Sequence, residues 1–555
     1  MLRFFTTQRQ PILLAGVALV PVAILASLFH SYAMNVPLWD DHALKAFILT
    51  WEKNGVWSGL KALFSQHNEH RIAFTRLVTL LIYSVQGTIQ YDTMMMVGNL
   101  TLLGTFLFWA SGWKNNPDRW IWWATGSWLV FTLALYENFY WGMASLQNFG
   151  ILFFAITTFF FHSQKPKSKL PYQDIRFLLG LLSGFFALFT SGNGLIVPLI
   201  SVLLLATQKR WKSIGYAAGF WGVCLLLHLL TFTNRTDLSV QSTSFTFTEV
   251  FRRFLMLSGA VTDSFSIWES GRDSLAILWG GLCVAVVVFF LVRLPFQMFF
   301  KKYLPITWYQ LLLASFSLFV LGTILGTVIA RMPYPTSILF TSKYKIYSNL
   351  LTLLAFSFAY MLVPTPWKRT WAWVGFGISI VFYLNSYLLD YRFHLYTFQD
   401  RTADLANLYF ADRSGKIPMN QHPYKHPESI LADSFLPKEA LQAPRWVDSV
   451  AMQPTEVAYF EFGEDADFRS AYLIIKGDSL TQVQPLYQSV QPFFLKRVFR
   501  PWGHSLMGRV SRMNLPSGLY DTFVWLDQPP GGKWLNVQKT IRIKGYTQPE
   551  KPKNW

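Results

Sequence analysis

The chain has 555 residues, 52% of them hydrophobic and 14% charged, with a formal net charge of +18. Soluble domains carry about 25% charged residues, so this composition excludes an ordinary soluble protein; apolar runs of about 20 residues recur through the first 390 positions, as in a polytopic membrane protein. The basic excess, +15 before Asp390 and +3 from there on, sits largely in short loops between apolar runs, where it orients helices rather than gripping nucleic acid.

The first ten residues lead into the apolar run 11–29. It resembles a secretion signal but is too long for the apolar core of one, and further runs follow. It reads as a retained anchor with a cytoplasmic N-terminus; cleavage near Ala33 is the alternative. Ten more runs qualify as spans: 91–110, 120–136, 143–162, 175–190, 195–206, 213–232, 274–292, 308–330, 344–363 and 371–389, making eleven. Segment 72–86 is short for a span and starts between Arg71 and Arg76. If it does not cross, the loops holding Lys114 and Arg119, Lys165 to Lys169, Lys209 to Lys212, Arg293 to Lys302, and Lys368-Arg369 all face the cytoplasm, as the positive-inside rule requires. Segment 72–86 is therefore expected to lie in or re-enter the outer leaflet. Loop 31–90, Glu137 to Gly142, Ser191 to Gly194, 233–273 and 331–345 are expected to face outward. Cys224 and Cys283 are the only cysteines, both inside apolar runs, with no disulfide framework or metal spacing.

The loop after the first span is dense in polar groups. Leu44, Phe47, Ile48 and Trp51 recur at helical spacing, Trp57, Leu60 and Phe64 follow more loosely, and Asn54-Gly55 interrupts them. Two short amphipathic helices on the membrane surface match this pattern. Asp40 or Asp41 would cap the first. A cap uses one carboxylate, which leaves the other to act as a general base, or the pair to hold a divalent metal such as Mg or Mn. Glu69 and His70 are placed to orient an acceptor or a metal. His67 and His70 have a spacing compatible with one metal site, although solvent-facing histidines explain them as well. Arg71 and Arg76 offer paired N–H donors to a phosphate.

Three later outward segments add candidates. Glu137, Asn138 and Trp141 end a span and suit either a sugar hydroxyl or an interfacial anchor. Asn193 lies in the Ser191–Gly194 turn, for which ordinary turn chemistry suffices. Arg331, Lys343 and Lys345, with Tyr344 between the lysines, run against the positive-inside trend. They suit an anionic lipid head group or pyrophosphate, or else a docking ion pair.

From residue 391 to 454 the chain is mixed and polar, with several prolines, and reads as a partly helical connector. From 455 onward VAYFEFG, AYLIIKG, QPFFLKRVF, LMGRVSRM, GLYDTFVWL and VQKTIRIKG alternate between turn residues. They predict an all-β, sandwich-like domain of roughly 100 residues. An odd number of spans places it outside the cell.

Trp39-Asp40-Asp41, His67-Asn-Glu-His-Arg71, Glu137-Asn-Phe-Tyr-Trp-Gly142 and Ser342-Lys-Tyr-Lys345, set in this layout, resemble the GT-C superfamily of integral-membrane glycosyltransferases. That superfamily includes aminoarabinose transferases and protein mannosyltransferases. The match covers residues 1 to about 390 in architecture, and it extends to a group of bacterial membrane proteins associated with the superfamily. The His-Asn-Glu-His-Arg segment departs from the mannosyltransferase form, which carries a proline-containing segment there. The resemblance implies a polyprenyl-phosphate or diphosphate sugar donor. The acceptor would be a hydroxyl of a glycan, lipid or protein at the outer face of a bacterial cytoplasmic membrane. It also implies roles: Asp41 or Asp40 as base, Glu69 and Glu137 orienting hydroxyls, and Arg71, Arg331 and Lys343 receiving the departing phosphate. The competing classes are a transporter or flippase of lipid-linked sugars, a glycan polymerase or ligase, and a scaffold presenting the C-terminal domain.

Overall fold

The structure is a computed structural model. It describes residues 2–68, 70–230, 246–265, 269–299 and 306–413, then 441–442, 456–461, 470–476, 481–490, 502–510, 518–527 and 533–543. The chain forms two compact units, Met1–Tyr391 and Arg392–Trp555.

The first unit is helical. Its longer helices are α1 (Leu2–Tyr32), α2 (His42–Phe64), α3 (Ala73–Gln86), α4 (Tyr91–Ser111), α5 (Arg119–Val130), α6 (Gly142–Ser163), α7 (Ile175–Leu188), α8 (Ile196–Thr207), α9 (Trp211–Leu230), α10 (Phe247–Ser258), α11 (Glu269–Phe299), α12 (Trp308–Arg331), α13 (Ser342–Leu362) and α14 (Lys368–Arg413). The unit boundary after Tyr391 falls inside α14. Among the described residues, eight helices are long and apolar enough to cross a membrane: α1, α4, α6, α9, α11, α12, α13 and α14. A helix satisfies its own backbone hydrogen bonds, which hydrocarbon demands. The chain is thus a helical, membrane-associated protein with a sheet-forming C-terminal region.

Three of the eleven expected spans are not long continuous helices. At a rise of about 1.5 Å per residue, α5, α7 and α8 reach only ~18–21 Å, short of the ~30 Å hydrocarbon thickness. The α5 run stops because Thr132 is extended and its Oγ1 accepts the Ala134 N–H at 3.4 Å, a local bond that competes with the helix. Side-chain bonds nevertheless fix where each segment leads. Tyr91 N at the start of α4 donates to Asn35 Oδ1 at 2.7 Å, and Met143 N at the start of α6 donates to Asp41 Oδ1 at 2.8 Å. Both starts therefore lie at the loop end of the unit, and the broken segment through α5 must run back to it. Likewise Gly192 N, between α7 and α8, donates to His70 Nδ1 at 3.2 Å, and Gln208 at the end of α8 donates to the His162 carbonyl at 2.8 Å near the end of α6. Helix α3 begins and ends at the loop end.

Helix α2 is two helices. Gly55 at φ 74°, ψ 173° breaks it where Asn54-Gly55 interrupts the apolar pattern. Before the break Leu44, Phe47 and Ile48 are buried; after it Val56, Trp57, Leu60 and Phe64 are exposed.

In the second unit the described strands are β3 (Leu441–Gln442), β4 (Glu456–Glu461), β5 (Ser470–Lys476), β6 (Thr481–Val490), β7 (Trp502–Val510), β8 (Gly518–Asp527) and β9 (Lys533–Ile543). The hairpin Gln66–His67 (β1) with His70–Arg71 (β2) belongs to the first unit. The seven strands join in one hydrogen-bonded order, β3-β9-β8-β5-β6-β7-β4, antiparallel except β3 with β9. Strand β6 is shared along its length: its first part, Thr481 to Leu486, pairs with β5, and its last part, Tyr487 to Val490, pairs with β7. The expected strand QPFFLKRVF lies outside the described residues, and β6 was not anticipated. Ala403 and Ala406 on α14 pack with Tyr472, Ile474, Val483 and Trp525.

A Cβ at Gly194 would stand 1.9 Å from the Ala187 carbonyl oxygen. Gly194→Ala is expected to lower the thermal midpoint of the purified protein by several degrees, the size of an overpacking cost of about 1–3 kcal/mol; an unchanged midpoint would show that the α7–α8 turn is not packed this way.

Candidate active site

Asp41 sets the geometry. Trp39–Asp41 forms one 3-10 turn ahead of α2. Asp41 Oδ2 accepts the Leu38 N–H at 3.0 Å and Oδ1 accepts the Met143 N–H at 2.8 Å; the side chain is fully buried. Asp41 does stand at the N-cap position of α2, but its carboxylate makes no bond to that helix. It caps α6 instead, where first-turn N–H groups lack helical acceptors and the helix end favours negative charge. Glu137 does the same for α13. Its Oε2 accepts the Lys343 N–H at 3.0 Å, while its own N–H donates to Ser342 Oγ at 3.1 Å. Asn138 ties the same turn: its amide donates to the Lys343 carbonyl at 3.1 Å, and its Oδ1 accepts from Asn148 at 2.8 Å.

Asp40 is turned the other way. Its side chain is 46% exposed, with Oδ1 3.9 Å from His67 Nε2. Trp39, one residue earlier, holds φ +42° and is 61% exposed. Positive φ on a bulky residue is a strained outlier costing on the order of 1–3 kcal/mol. The Trp39 ring meets Trp141 edge to face at 5.0 Å. Lys343 Nζ lies 5.8 Å from the Trp141 ring and 5.3 Å from the Tyr344 ring, within cation–π range. Arg331 Nε donates to the Tyr344 hydroxyl at 2.9 Å, and its guanidinium carbon is 5.7 Å from the Tyr334 ring. One chain of contacts thus runs from Trp39 through Trp141, Lys343 and Tyr344 to Arg331, and a second joins Asp40, the next residue after Trp39, to His67.

Other candidates are placed elsewhere. Arg71 is buried; it donates to the Phe64 carbonyl and, at 2.9 Å, to the His228 carbonyl. Arg76, also buried, donates to the carbonyls of Leu63 at 3.3 Å and Ser65 at 2.6 Å. Both satisfy the last carbonyls of α2, the groups a helix end leaves over; the expected phosphate grip is replaced by this packing role. His67 and His70 face each other across the β1–β2 hairpin, whose turn residue Asn68 has φ +48°, so their i, i+3 spacing is a strand pairing and not a helical one. Asn193 donates to Thr323 Oγ1 at 3.2 Å and the Tyr347 hydroxyl at 3.4 Å. Glu69 lies outside the described residues.

For a divalent metal the donor set is thin. The Asp41 oxygens are turned to backbone N–H groups, and the described residues contain no group of three His, Cys, Asp or Glu side chains.

Two placements could not be read from the sequence, which left Lys345 open between an anionic ligand and a docking ion pair. Lys345 is buried, with Nζ 2.8 Å from Asp263 Oδ2 and 3.7 Å from Asp390 Oδ1; Arg272 Nε is 3.9 Å from Asp263 Oδ1. Only the chain fold brings these four together. Trp39 stands in the Trp-Asp-Asp motif, yet nothing in composition marks it as exposed.

No protein-family model, curated protein or solved structure matches the chain. The functional reading therefore rests on the site itself.

Lys45, one turn after Asp41, is buried, and burial pushes its ammonium down to about 8 although Asp41 favours the charge. A lysine depressed on folding costs stability in full below pH 8; between about 8 and 10.5 the folded chain releases the proton while the unfolded chain keeps it, so stability rises with pH. Lys45→Met should be more stable than wild type at pH 7, with the gap in thermal midpoint closing toward pH 10; a constant gap would contradict this.

Proposed function

We propose that the protein is a membrane glycosyltransferase. It moves a sugar from a polyprenyl-phosphate or diphosphate donor to a hydroxyl of a cell-envelope glycan, lipid or protein. The observation that carries the reading is the division of labour in Trp39-Asp40-Asp41: Asp41 is held as a buried cap, while Asp40 presents a half-exposed carboxylate next to Trp39, whose ring meets Trp141 and, through it, Lys343. Among the described residues no carboxylate lies within ion-pair distance of Lys343, whereas Lys345 has two. An exposed base, and a cation that no carboxylate among the described residues neutralises, are what transfer from a phosphate requires.

In this reading Asp40 accepts the proton of the acceptor hydroxyl as its oxygen bonds to the anomeric carbon. The bond from that carbon to the phosphate oxygen breaks, and the phosphate leaves with the electron pair. Lys343, with Arg331 behind Tyr344, stabilises the charge that develops there. Direct displacement inverts the anomeric centre. The apolar helix faces take the prenyl tail, which supplies binding area in the membrane. Asp41 and Glu137 position the turns and do not touch the substrate.

The reading places the site at the outer face of a bacterial cytoplasmic membrane. It is supported by the basic loops that the sequence sets between apolar runs and by the odd number of runs expected to cross, which would set the end of the last one opposite the N-terminus. The buried Lys345–Asp263–Asp390 group is the observation that favours the flippase alternative, because ionisable residues in spanning helices often line transport routes.

Asp40→Asn is expected to cut glycan transfer in membranes by about 10²–10⁴-fold, the usual worth of a general base, with the thermal midpoint unchanged. Asp41→Ala is expected to lower the midpoint, since each buried N–H it orphans costs about 1–3 kcal/mol. Full transfer in the Asp40→Asn, Asp41→Asn double variant would overturn the assignment. Lipid-linked sugar movement without transfer would favour the flippase.

A further inference from the structure

We infer that Trp39 is a stacking platform for the pyranose ring of the sugar, a statement that rests on the transferase reading and names the part of the site that grips the sugar. Trp39 is 61% exposed; Trp57, Trp211 and Trp367 in this unit are exposed too, and what sets Trp39 apart from them is its backbone. Its backbone sits at φ +42°, where glycine or asparagine would hold the same turn with less strain. An interfacial anchor does not need that backbone, so the residue type is chosen for its ring. The ring contacts Trp141 edge to face, which leaves most of the indole open.

The surroundings favour a sugar over other occupants. One face of a pyranose presents C–H groups, apolar and slightly positive, which match the negative face of indole. Its hydroxyls need partners at the rim. Asp40 is adjacent and half exposed. Trp141, 6% exposed, backs the Trp39 ring and carries Lys343 within 5.8 Å of its own ring, which sets a cation at the rim as well. An acyl chain would use neither Asp40 nor the cation, and a phosphate is repelled by an indole face.

The test uses the full-length protein in nanodiscs and saturation-transfer-difference NMR with methyl glycosides of glucose, galactose, mannose, N-acetylglucosamine and arabinose as probes. At least one probe should bind wild type, with transfer strongest on the C–H protons of one ring face. Trp39→Leu and Trp39→Gly should weaken that binding about tenfold or more, the scale seen for ring stacking, while Trp39→Phe keeps most of it. Trp39→Gly should hold or raise the thermal midpoint because the strain is released. Leucine keeps the apolarity an anchor would need, so unchanged binding in Trp39→Leu, or binding of no probe to wild type, overturns the platform. Sugar transfer by Trp39→Gly at the wild-type KM overturns it too and leaves the transferase standing. Loss of saccharide binding in Trp39→Gly, in a protein that transfers no sugar, overturns the transferase and leaves the platform.

Discussion

The Asp41 carboxylate holds the first loop to the start of α6, across 102 residues of sequence, by accepting two backbone N–H groups in a fully buried setting. Everything proposed for the site depends on this bond pair. It fixes the 3-10 turn that carries Trp39 and Asp40, and it sets that turn against Trp141. A buried carboxylate with good hydrogen bonds is stable because both partners would otherwise be unsatisfied, and removing either leaves an expensive orphan. Glu137 repeats the device at the start of α13. Two carboxylates on two helix N-termini therefore frame the surface, and the helix ends supply the positive field that keeps them there.

The same economy governs the cations. Lys343 and Lys345 are two residues apart on α13, and residues at that spacing point to different sides of a helix. Lys345 turns inward to Asp263 and Asp390, while Lys343 turns to the rings of Trp141 and Tyr344. In each short pair, Asp40 with Asp41 and Lys343 with Lys345, one member is spent on structure and its neighbour is presented.

Much of the fold was legible in the sequence because hydrophobic periodicity and loop charge report on helices directly. The Gly55 break, the exposed second half of α2 and the eight long helices follow from pattern and turn residues alone. Helix length was less legible. Nothing in the apolar run 120–136 announces that Thr132 will turn its hydroxyl to its own backbone and end α5. At the site, sequence named Asp40, Asp41, Trp141, Lys343 and Tyr344 among a larger number of candidates, but it could not assign which aspartate is buried. Arg71 and Arg76 looked like phosphate ligands because arginine type carries no record of its partner, and here the partners are the carbonyls ending α2. The Lys345 group joins residues from three distant segments, which only tertiary structure brings together.

The central claim is that Asp40 and Lys343 flank a sugar–phosphate bond. A cryo-electron microscopy structure of the protein with a bound polyprenyl-phosphate monosaccharide tests it most directly. The account predicts the phosphate oxygens against Lys343 and the anomeric carbon on the Asp40 side, leaving room for an acceptor hydroxyl about 3 Å from the Asp40 carboxylate. A donor bound with its phosphate remote from Lys343, or with its sugar turned away from Asp40, would contradict it.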